Sequence, residues 1–324
     1  MRFRTELQIQ KSKVDINYSD NLLLLGSCFA ENIGERLKQI KYPTTINPLG
    51  IVYHPVPLHS SILGAIQGKE IDKSDLNKNI DGQYTAWNIH SRLSNLDAEE
   101  TISQMNNGIR QLSDSIKEAD YLILTYGTSY YYDHKLYGPV ANCHKFPSTD
   151  FEKKLSNPEE LKSSFNEMYA KLKEVNQNIK VLLTVSPVRH IKDGIVENNR
   201  SKAHLLTAVH EICDQHIDCL YLPSYELLID DLRDYRFYAD DMVHPSNKAI
   251  DYIWEKIGDH ILDPADEKLR ADIIKIVRAA CHRPFNADSE QHIKFLTSQA
   301  KTLEKILESF PKLDFEAEMK VFKN

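Results

Sequence analysis

Residues 22–30 read LLLLGSCFA, a short apolar run that stops at a glycine and is followed by small residues. A run of this length, bounded by turn residues, is typical of a strand that is buried in a sheet. The apolar residues that come next are spaced three or four positions apart, as on one face of a helix: Phe29, Ile33, Leu37 and Ile40. The stretch therefore predicts a buried strand, a tight turn and an amphipathic helix.

The same alternation of apolar runs and helical spacing recurs along the chain. Further apolar runs follow at 121–126, 179–185 and 217–222. Helical spacing extends over 161–175, and Asn157 with Pro158 predicts the start of that helix. Ser201 likewise stands before a periodic segment. Strands that alternate with helices indicate βαβ units, so we predict an α/β fold with a mostly parallel sheet and helices on both faces.

Two parts of the chain depart from this alternation. Residues 47–102 carry several Pro, Gly, His and Asn residues without clear periodicity, which predicts loops and short helices over the sheet. The later residues are purely helical in pattern, with a break at 282–284, and predict a helical hairpin. We therefore divide the chain into an α/β domain, residues 1–263, and a C-terminal helical extension, residues 264–324. The hairpin can pack on the parent domain or on a second copy of the chain, as in a homodimer.

The composition limits the classes of protein to which the chain can belong. Its 324 residues include 40 Lys plus Arg against 47 Asp plus Glu, a net charge of −7, which argues against nucleic acid as a partner. The five cysteines are widely spaced without a CxxC pair, so neither a disulfide framework nor a zinc ribbon is expected. The sequence has no apolar stretch of about 20 residues and no apolar signal segment, so we expect a cytoplasmic protein without a membrane partner.

Reactive side chains follow the predicted strands. Ligands bind at the carboxyl ends of the strands in a parallel sheet, and here Ser27 and Cys28 follow the first strand while Arg189 and His190 follow the third. A hydroxyl at the start of a helix would lie beside free N–H groups, which favour an anion. From spacing alone, Ser27 reads equally as a nucleophile or as the cap of the helix. His190 reads equally as a residue of the substrate site or as an exposed strand end.

Asp241 and His244 form the second chemical feature. They are three residues apart in a polar segment ahead of a predicted helix. This spacing lets the carboxylate bind one imidazole nitrogen and leaves the other free to take a proton from a hydroxyl. Such a pair often occurs by chance, but a Gly-Ser turn after the first strand makes the combination more specific.

Together these motifs resemble those of the GSCFA-domain family. The shared segments are GSCFA at 26–30, NPLG at 47–50, GTS at 127–129, ANCHK at 141–145 and DMVH at 241–244. The family is similar to the SGNH (GDSL-like) esterases and acyl hydrolases. The resemblance covers about residues 21–262 and implies a flavodoxin-like three-layer α/β/α fold. It also implies Ser27 as nucleophile, His244 as general base and Asp241 as the acid that orients the imidazole.

The oxyanion hole is where the sequence departs from the SGNH pattern. The resemblance assigns the backbone N–H of Gly50 as one donor. The usual Asp between the first Gly and Ser is absent, and the third block at 127–129 lacks the Asn whose side-chain amide ordinarily donates. Asn142 or the Ser129 hydroxyl can replace that amide.

The sequence therefore predicts a serine esterase or acyl hydrolase acting on O-acyl esters, such as O-acetyl esters of a carbohydrate, through an acyl-enzyme. Two alternatives stay open: acyl transfer to a sugar hydroxyl, and a binding protein that recognises an acylated glycan without turnover. No nucleotide motif and no tight metal-ligand spacing is present, so we expect neither a cofactor nor a metal. The run 130–132 of three tyrosines can form an aromatic wall or simply pack. Cys28, the nearest rival of Ser27, is expected to point toward the sheet.

Overall fold

The computed structural model describes residues 4–9, 14–283, 285–286 and 289–323, so Pro284 in the predicted break lies outside the described residues. The secondary-structure elements are, in chain order, β1 (Leu22–Gly26), α1 (Cys28–Gln39), β2 (Thr44–Ile46), α2 (Pro55–Ile66), β3 (Asn77–Lys78), β4 (Tyr84–Thr85), α3 (Ala98–Glu118), β5 (Tyr121–Tyr126), β6 (Tyr130–His134), β7 (Gly138–Val140), β8 (Phe151–Leu155), α4 (Pro158–Val175), β9 (Lys180–Val185), α5 (Ile195–Gln215), β10 (Cys219–Leu222), α6 (Ser224–Glu226), α7 (Asn247–Ile261), α8 (Glu267–Cys281), α9 (Glu290–Ser309) and α10 (Glu316–Lys323). Among the helices of the described residues, none has the length and the apolar composition that a membrane span requires.

A five-stranded parallel sheet forms the centre of the fold. Its strand order is β10-β9-β5-β1-β2, and every neighbouring pair is parallel. In the middle of the sheet Leu24 lies opposite Ile46 on one side and Ile123 on the other. Helices cover both faces, so the predicted mixed α/β architecture is confirmed.

The two faces of the sheet bury alternate residues of each strand, as the pleat requires. In β1, Leu23 and Leu25 pack into the hydrophobic cluster formed with α2, α3, α4 and α5. Leu22 and Leu24 pack into the opposite cluster, which includes α1 and α7. All four are at most 3% exposed, and burial of each leucine stabilises the fold by about 1.5–3 kcal/mol. This is why a run of four leucines fits a central strand.

The C-terminal helices α8, α9 and α10 share the hydrophobic cluster of α1 and α7. Leu303 and Phe315 are buried in that cluster, and Lys41 Nζ lies 2.8 Å from a carboxylate oxygen of Glu318. The extension thus packs on the parent domain of the same chain. It contains a third helix, α10, in addition to the predicted hairpin. At the start of α10, Asp314 Oδ1 accepts the N–H of Glu316.

Several elements differ from the sequence-based expectation. The predicted loop-rich segment 47–102 contains α2, a helix of 12 residues, and the two-stranded sheet β3-β4. An antiparallel sheet, β7-β6-β8, lies where no strands were predicted. Helix α5 begins at Ile195, after Gly194 with a φ of +112°, and not near Ser201. Ser201 is instead a buried residue within the helix, whose hydroxyl accepts the N–H of Ser129 at 2.8 Å.

The segment that precedes β1 is tied to the end of α7. Ile16 pairs with Leu262 in an isolated parallel bridge. The N–H of Ile16 donates to Ile261 O at 2.7 Å, and the N–H of Asp263 donates to Ile16 O at 2.8 Å. This bridge joins the two ends of the α/β domain.

Gly26 is a position where the backbone requires glycine. Its φ is +128°, and a Cβ would lie 2.2 Å from Thr125 O. Because both the strain and the clash involve backbone, we expect Gly26→Ala to lower the free energy of unfolding by about 3 kcal/mol or more. The matched control is Gly64→Ala in α2, where nothing lies within 4 Å, and which should stabilise by about 0.5–1 kcal/mol. Urea denaturation measures both changes, and a Gly26→Ala protein as stable as wild type would contradict the analysis.

Candidate active site

A cleft of about 720 Å³ opens at the carboxyl edge of the parallel sheet. Its lining residues lie in the segments after β1, β2, β4, β5, β7 and β9, in the antiparallel sheet, and in the segment before α7. This volume is typical of pockets that bind small molecules. Six lining side chains carry most of the chemistry: Cys28, Asn142, Arg189, His190, Asp241 and His244.

Ser27 does not line this cleft. Its side chain is almost fully buried, at 1% exposure for the residue, and its Oγ accepts the N–H of Phe29 at 3.3 Å. Its own N–H donates to Thr125 O at 3.0 Å. The helix-cap role that the sequence allowed for Ser27 is therefore present, because the extended backbone after Gly26 turns the hydroxyl onto the end of α1. The role of Ser27 as nucleophile stays a prediction.

Cys28 lines the cleft in its place, so the expectation that it packs toward the sheet is wrong. It is the first residue of α1. Burial raises the pKa of its thiol above the usual value, and the charge of Glu31 adds to this effect. The N–H groups of Cys28 and Phe29 at the helix start act in the opposite direction, as expected where a helix dipole favours negative charge.

Asp241 and His244 form the hydrogen bond that their spacing predicts. Asp241 Oδ2 lies 2.6 Å from His244 Nδ1. The other carboxylate oxygen accepts the N–H groups of Val243 and His244 at 2.9 and 3.0 Å. These bonds, that from the backbone of His244 above all, lower the pKa of Asp241 to about 2, so the carboxylate is ionised at neutral pH. Nε2 of His244 has no partner among the described residues.

Of the predicted oxyanion donors, Gly50 and Ser129 are occupied elsewhere. The N–H of Gly50 donates to Asn47 O at 2.8 Å within a turn. A Cβ at Gly50 would lie 2.2 Å from His90 Cβ, so close packing explains this glycine. Ser129 is fully buried, and its Oγ donates to Ser201 O at 3.1 Å. These hydrogen bonds contradict the prediction that Gly50 and Ser129 donate to an oxyanion.

Asn142 does line the cleft. Its Oδ1 accepts the N–H of His144 at 2.9 Å. Its Nδ2 donates to no partner among the described residues. The amide is thus a free donor on the wall that the antiparallel sheet provides.

His190 is a neutral imidazole at the base of the cleft. Its ring packs edge-on against Tyr53, with 5.4 Å between ring centroids. Its Nε2 is buried and has no hydrogen-bond partner within the described part of the chain. Burial lowers its pKa to about 3, and the nearby charges of Lys202 and His244 act in the same direction.

Arg189 holds the loop that carries Asp241 and His244. Its backbone N–H donates to Val243 O at 3.2 Å, and its guanidinium donates to Met242 O. The guanidinium carbon lies 4.5 Å from the ring centroid of Tyr238, a cation–π distance. The sequence placed Arg189 at a strand end but did not indicate this positioning role.

The three tyrosines of residues 130–132 all line the cleft. Lys153 Nζ lies 5.1 Å from the ring centroid of Tyr130 and 5.5 Å from that of Tyr132. The ring of Tyr131 packs at 4.9 Å on His54. Aromatic faces of this kind bind the apolar faces of sugars and acyl chains.

Other histidines are structural. His54 Nε2 lies 3.2 Å from Ser129 O, and His59 bridges the Tyr126 hydroxyl at 2.7 Å and the Ser164 hydroxyl at 2.9 Å. Burial lowers the pKa of both to about 3. In the ranges that the structure describes, no group of three or more His, Cys, Asp or Glu residues is arranged to hold a metal ion.

Lys202 is the residue near the cleft that sequence reasoning missed. It lies on α5, is 1% exposed, and donates to two backbone carbonyls beside the cleft. The sequence does contain an indication of this burial: Lys202 precedes Leu205 and Leu206 by three and four residues, the spacing of residues on one face of a helix. A lysine on such a face is unusual, since lysines are almost never fully buried.

Comparison with protein-family models matches residues 21–257 to the GSCFA family and residues 273–324 to the C-terminal domain of GSCFA domain proteins. No curated protein matches the chain. The first match spans most of the chain and includes every cleft residue discussed above. The chain therefore belongs to the GSCFA family.

Proposed function

We propose that this protein is an SGNH-like hydrolase of O-acyl esters, with a nucleophile at the start of α1 and Asp241–His244 as its acid–base pair. The observation that carries the proposal is that Cys28, Asp241 and His244 line one cleft. Counted along the parallel sheet alone, the strand order is 2-1-3-4-5, which is the flavodoxin-like order. The cleft lies beside its switch point, between β1 and β5, where ligands bind in such sheets.

Cys28 fits the role of nucleophile better than Ser27. Attack on an ester creates an oxyanion, which needs a free donor close to the attacking atom. The N–H of Ser27 is already bonded to Thr125 O, and its hydroxyl caps the helix. The N–H of Cys28 has no backbone acceptor among the described residues and lies at the positive end of the α1 dipole. With the amide of Asn142 it provides two donors for the oxyanion.

The proposed reaction passes through a thioester. Cys28 gives its thiol proton to Nε2 of His244 as the sulfur attacks the carbonyl carbon, so that the S–H bond breaks and a carbon–sulfur bond forms. His244 then passes this proton to the leaving alcohol as the ester C–O bond breaks. The neutral imidazole then takes a proton from water, whose oxygen attacks the thioester. The acid leaves, and His244 returns the proton to the sulfur, so that the thiol is restored. Asp241 holds Nδ1 of His244 and stabilises the imidazolium throughout.

The substrate that fits this cleft is a small O-acyl ester, with acetyl esters of carbohydrates as the leading class. The aromatic wall of residues 130–132 supports a sugar ring or acyl chain on one side. Acyl transfer to a sugar hydroxyl is the second candidate, since the same thioester can be attacked by an alcohol. A third is an acylated-glycan binding protein without turnover. Incubation with p-nitrophenyl acetate and an acceptor sugar distinguishes them by free acetate, acetylated sugar or neither.

The nucleophile can be identified by two neighbouring substitutions. Cys28→Ala should reduce turnover of p-nitrophenyl acetate at least about 100-fold, because the acyl-enzyme cannot form. Ser27→Ala should keep most of the activity and lose about 0.5–2 kcal/mol of stability, as for other N-caps. Cys213→Ala, which removes a thiol outside the cleft, is the control. A folded Ser27→Ala protein without activity, beside an active Cys28→Ala protein, would assign Ser27 as the nucleophile.

The acid–base pair can be tested separately. His244→Ala should lower kcat by about 10²- to 10⁴-fold, the range for loss of a general acid–base group. Asp241→Asn should retain more activity than His244→Ala, because the amide side chain still places an oxygen beside Nδ1 of His244. Asp240→Asn, one residue away, is the matched control and should behave like wild type. Since the pKa of Asp241 is about 2, protonation of this carboxylate should not reduce kcat above about pH 3. If Asp240→Asn were the more damaging change, the pairing would be wrong.

A further inference from the structure

An ion pair in the cleft joins the antiparallel sheet to the segment that follows β9. Lys153 lies on β8 and Asp193 lies between β9 and α5, and Nζ of Lys153 binds Oδ1 of Asp193. Both residues line the cleft that also contains Cys28 and His244. Their side chains are 31% and 28% exposed, so a ligand in the cleft can reach them. Neither residue takes part in the proposed reaction.

Two tyrosine rings lie beside this ion pair. Tyr132 is opposite Lys153 in the register of the antiparallel sheet, and residues directly opposite each other share one face of a sheet. Tyr130 is two residues away on β6 and therefore shares that face. Nζ of Lys153 lies 5.1 Å from the ring centroid of Tyr130 and 5.5 Å from that of Tyr132. Phe151 packs edge-on against Tyr132 at 6.2 Å between ring centroids, yet Tyr132 is 43% exposed. Its ring is thus held by a neighbour and still accessible.

The ion pair has no net charge but offers both donors and acceptors. An ammonium has three N–H donors, and Oδ1 of Asp193 needs only one of them. Oδ2 of Asp193 has no hydrogen-bond partner within the part of the chain that the structure describes. A hydroxyl can both donate and accept, so two adjacent hydroxyls can bind the ammonium and the carboxylate together. An anionic group would be attracted by Lys153 and repelled by Asp193.

These groups match the two kinds of surface that a pyranose presents. A pyranose has C–H groups on its face and hydroxyls at its edge, which suits an aromatic ring beside a hydrogen-bonding pair. An acyl chain has no hydroxyls. It would cover the ammonium and the carboxylate without replacing their hydrogen bonds to water, which is costly. This face of the cleft therefore suits the alcohol part of an ester and not its acyl part.

We propose that Lys153, Asp193 and Tyr132 form the subsite that binds a neutral pyranose, the alcohol part of the ester substrate. Lys153 and Asp193 bind two neighbouring hydroxyls of the sugar, and the ring of Tyr132 packs on its C–H groups. The proposal rests on the proposed function only where it identifies this sugar as part of an ester. Binding of the sugar itself requires no turnover.

Two substitutions remove the two halves of the pair. In Lys153→Met and in Asp193→Ala we expect the dissociation constant of a neutral pyranoside to rise at least about tenfold, because hydrogen bonds to charged groups are lost. Lys154→Met is the matched control and should bind like wild type. Lys154 is the next residue of β8 and lies on the other face of the sheet, where its Nζ is 2.6 Å from Asp133 and 3.3 Å from Glu152.

The measurement is saturation-transfer NMR on the full-length protein. The probes are the methyl pyranosides of glucose, galactose, mannose, xylose and N-acetylglucosamine, with methyl glucuronide as an anionic probe and hexanamide as an acyl-chain probe. We expect at least one neutral pyranoside to bind, with transfer to its ring C–H protons. If the variants fail to fold, wild type labelled with ¹³C-tyrosine decides: the bound sugar should show a nuclear Overhauser effect to the ring protons of Tyr132, assigned with Tyr132→Phe, and its absence would overturn the proposal.

Four other results would overturn the proposal. They are no binding of any neutral pyranoside, unchanged binding in either Lys153→Met or Asp193→Ala, tighter binding of methyl glucuronide than of every neutral pyranoside, and hexanamide binding that these variants lose. Sugar binding with the expected losses, but without ester turnover by wild type, would support the subsite and reject the proposed hydrolase. Turnover of p-nitrophenyl acetate without sugar binding would support the hydrolase and overturn the subsite.

Discussion

The position of helix α1 depends on one tight turn at Gly26. The N–H of this glycine donates to Asn47 Oδ1 at 2.9 Å, and its carbonyl accepts the N–H of Val52 at 3.1 Å. The next N–H, that of Ser27, donates to Thr125 O. The first strand is therefore bonded on one side to the loop after β2 and on the other to β5 at the point where the helix begins. This arrangement fixes which side chain of the turn caps the helix and which one enters the cleft.

Burial gives the base of the cleft a common electrostatic property. The pKa of His190 is about 3, that of Lys202 is about 7, and that of Cys28 is raised. Each shift favours the uncharged form, because a charge in a poorly solvated site is costly. The permanent charge of Asp241 lies at the more exposed rim, where its side chain is about half accessible. Burial therefore favours a neutral thiol at Cys28 and a neutral imidazole at His190.

The sequence indicated the central strands, since unbroken apolar runs have few other stable environments, and it indicated the Asp241–His244 hydrogen bond, which is local. It did not indicate the antiparallel sheet, whose strands are short and partly polar. The sequence favoured Ser27 over Cys28 as the cleft residue and did not indicate that Cys28 lines the cleft, because a change in one pair of backbone dihedrals decides which of two adjacent side chains enters it. Lys202 was overlooked because its acceptors lie more than 15 residues away in sequence, and a lysine in a helix is ordinarily solvated.

The bridge between Ile16 and Leu262 has a consequence for synthesis of the chain. Ribosomes add about 5–20 residues per second, so about 12–50 s pass between the appearance of these two residues. During that time Ile16 cannot form the two hydrogen bonds that join it to Ile261 and Asp263. The central strands β1 and β5 can pair much earlier. The pairing of Ile16 with Leu262 is therefore a late step in the folding of the α/β domain, and it follows the pairing of the central strands.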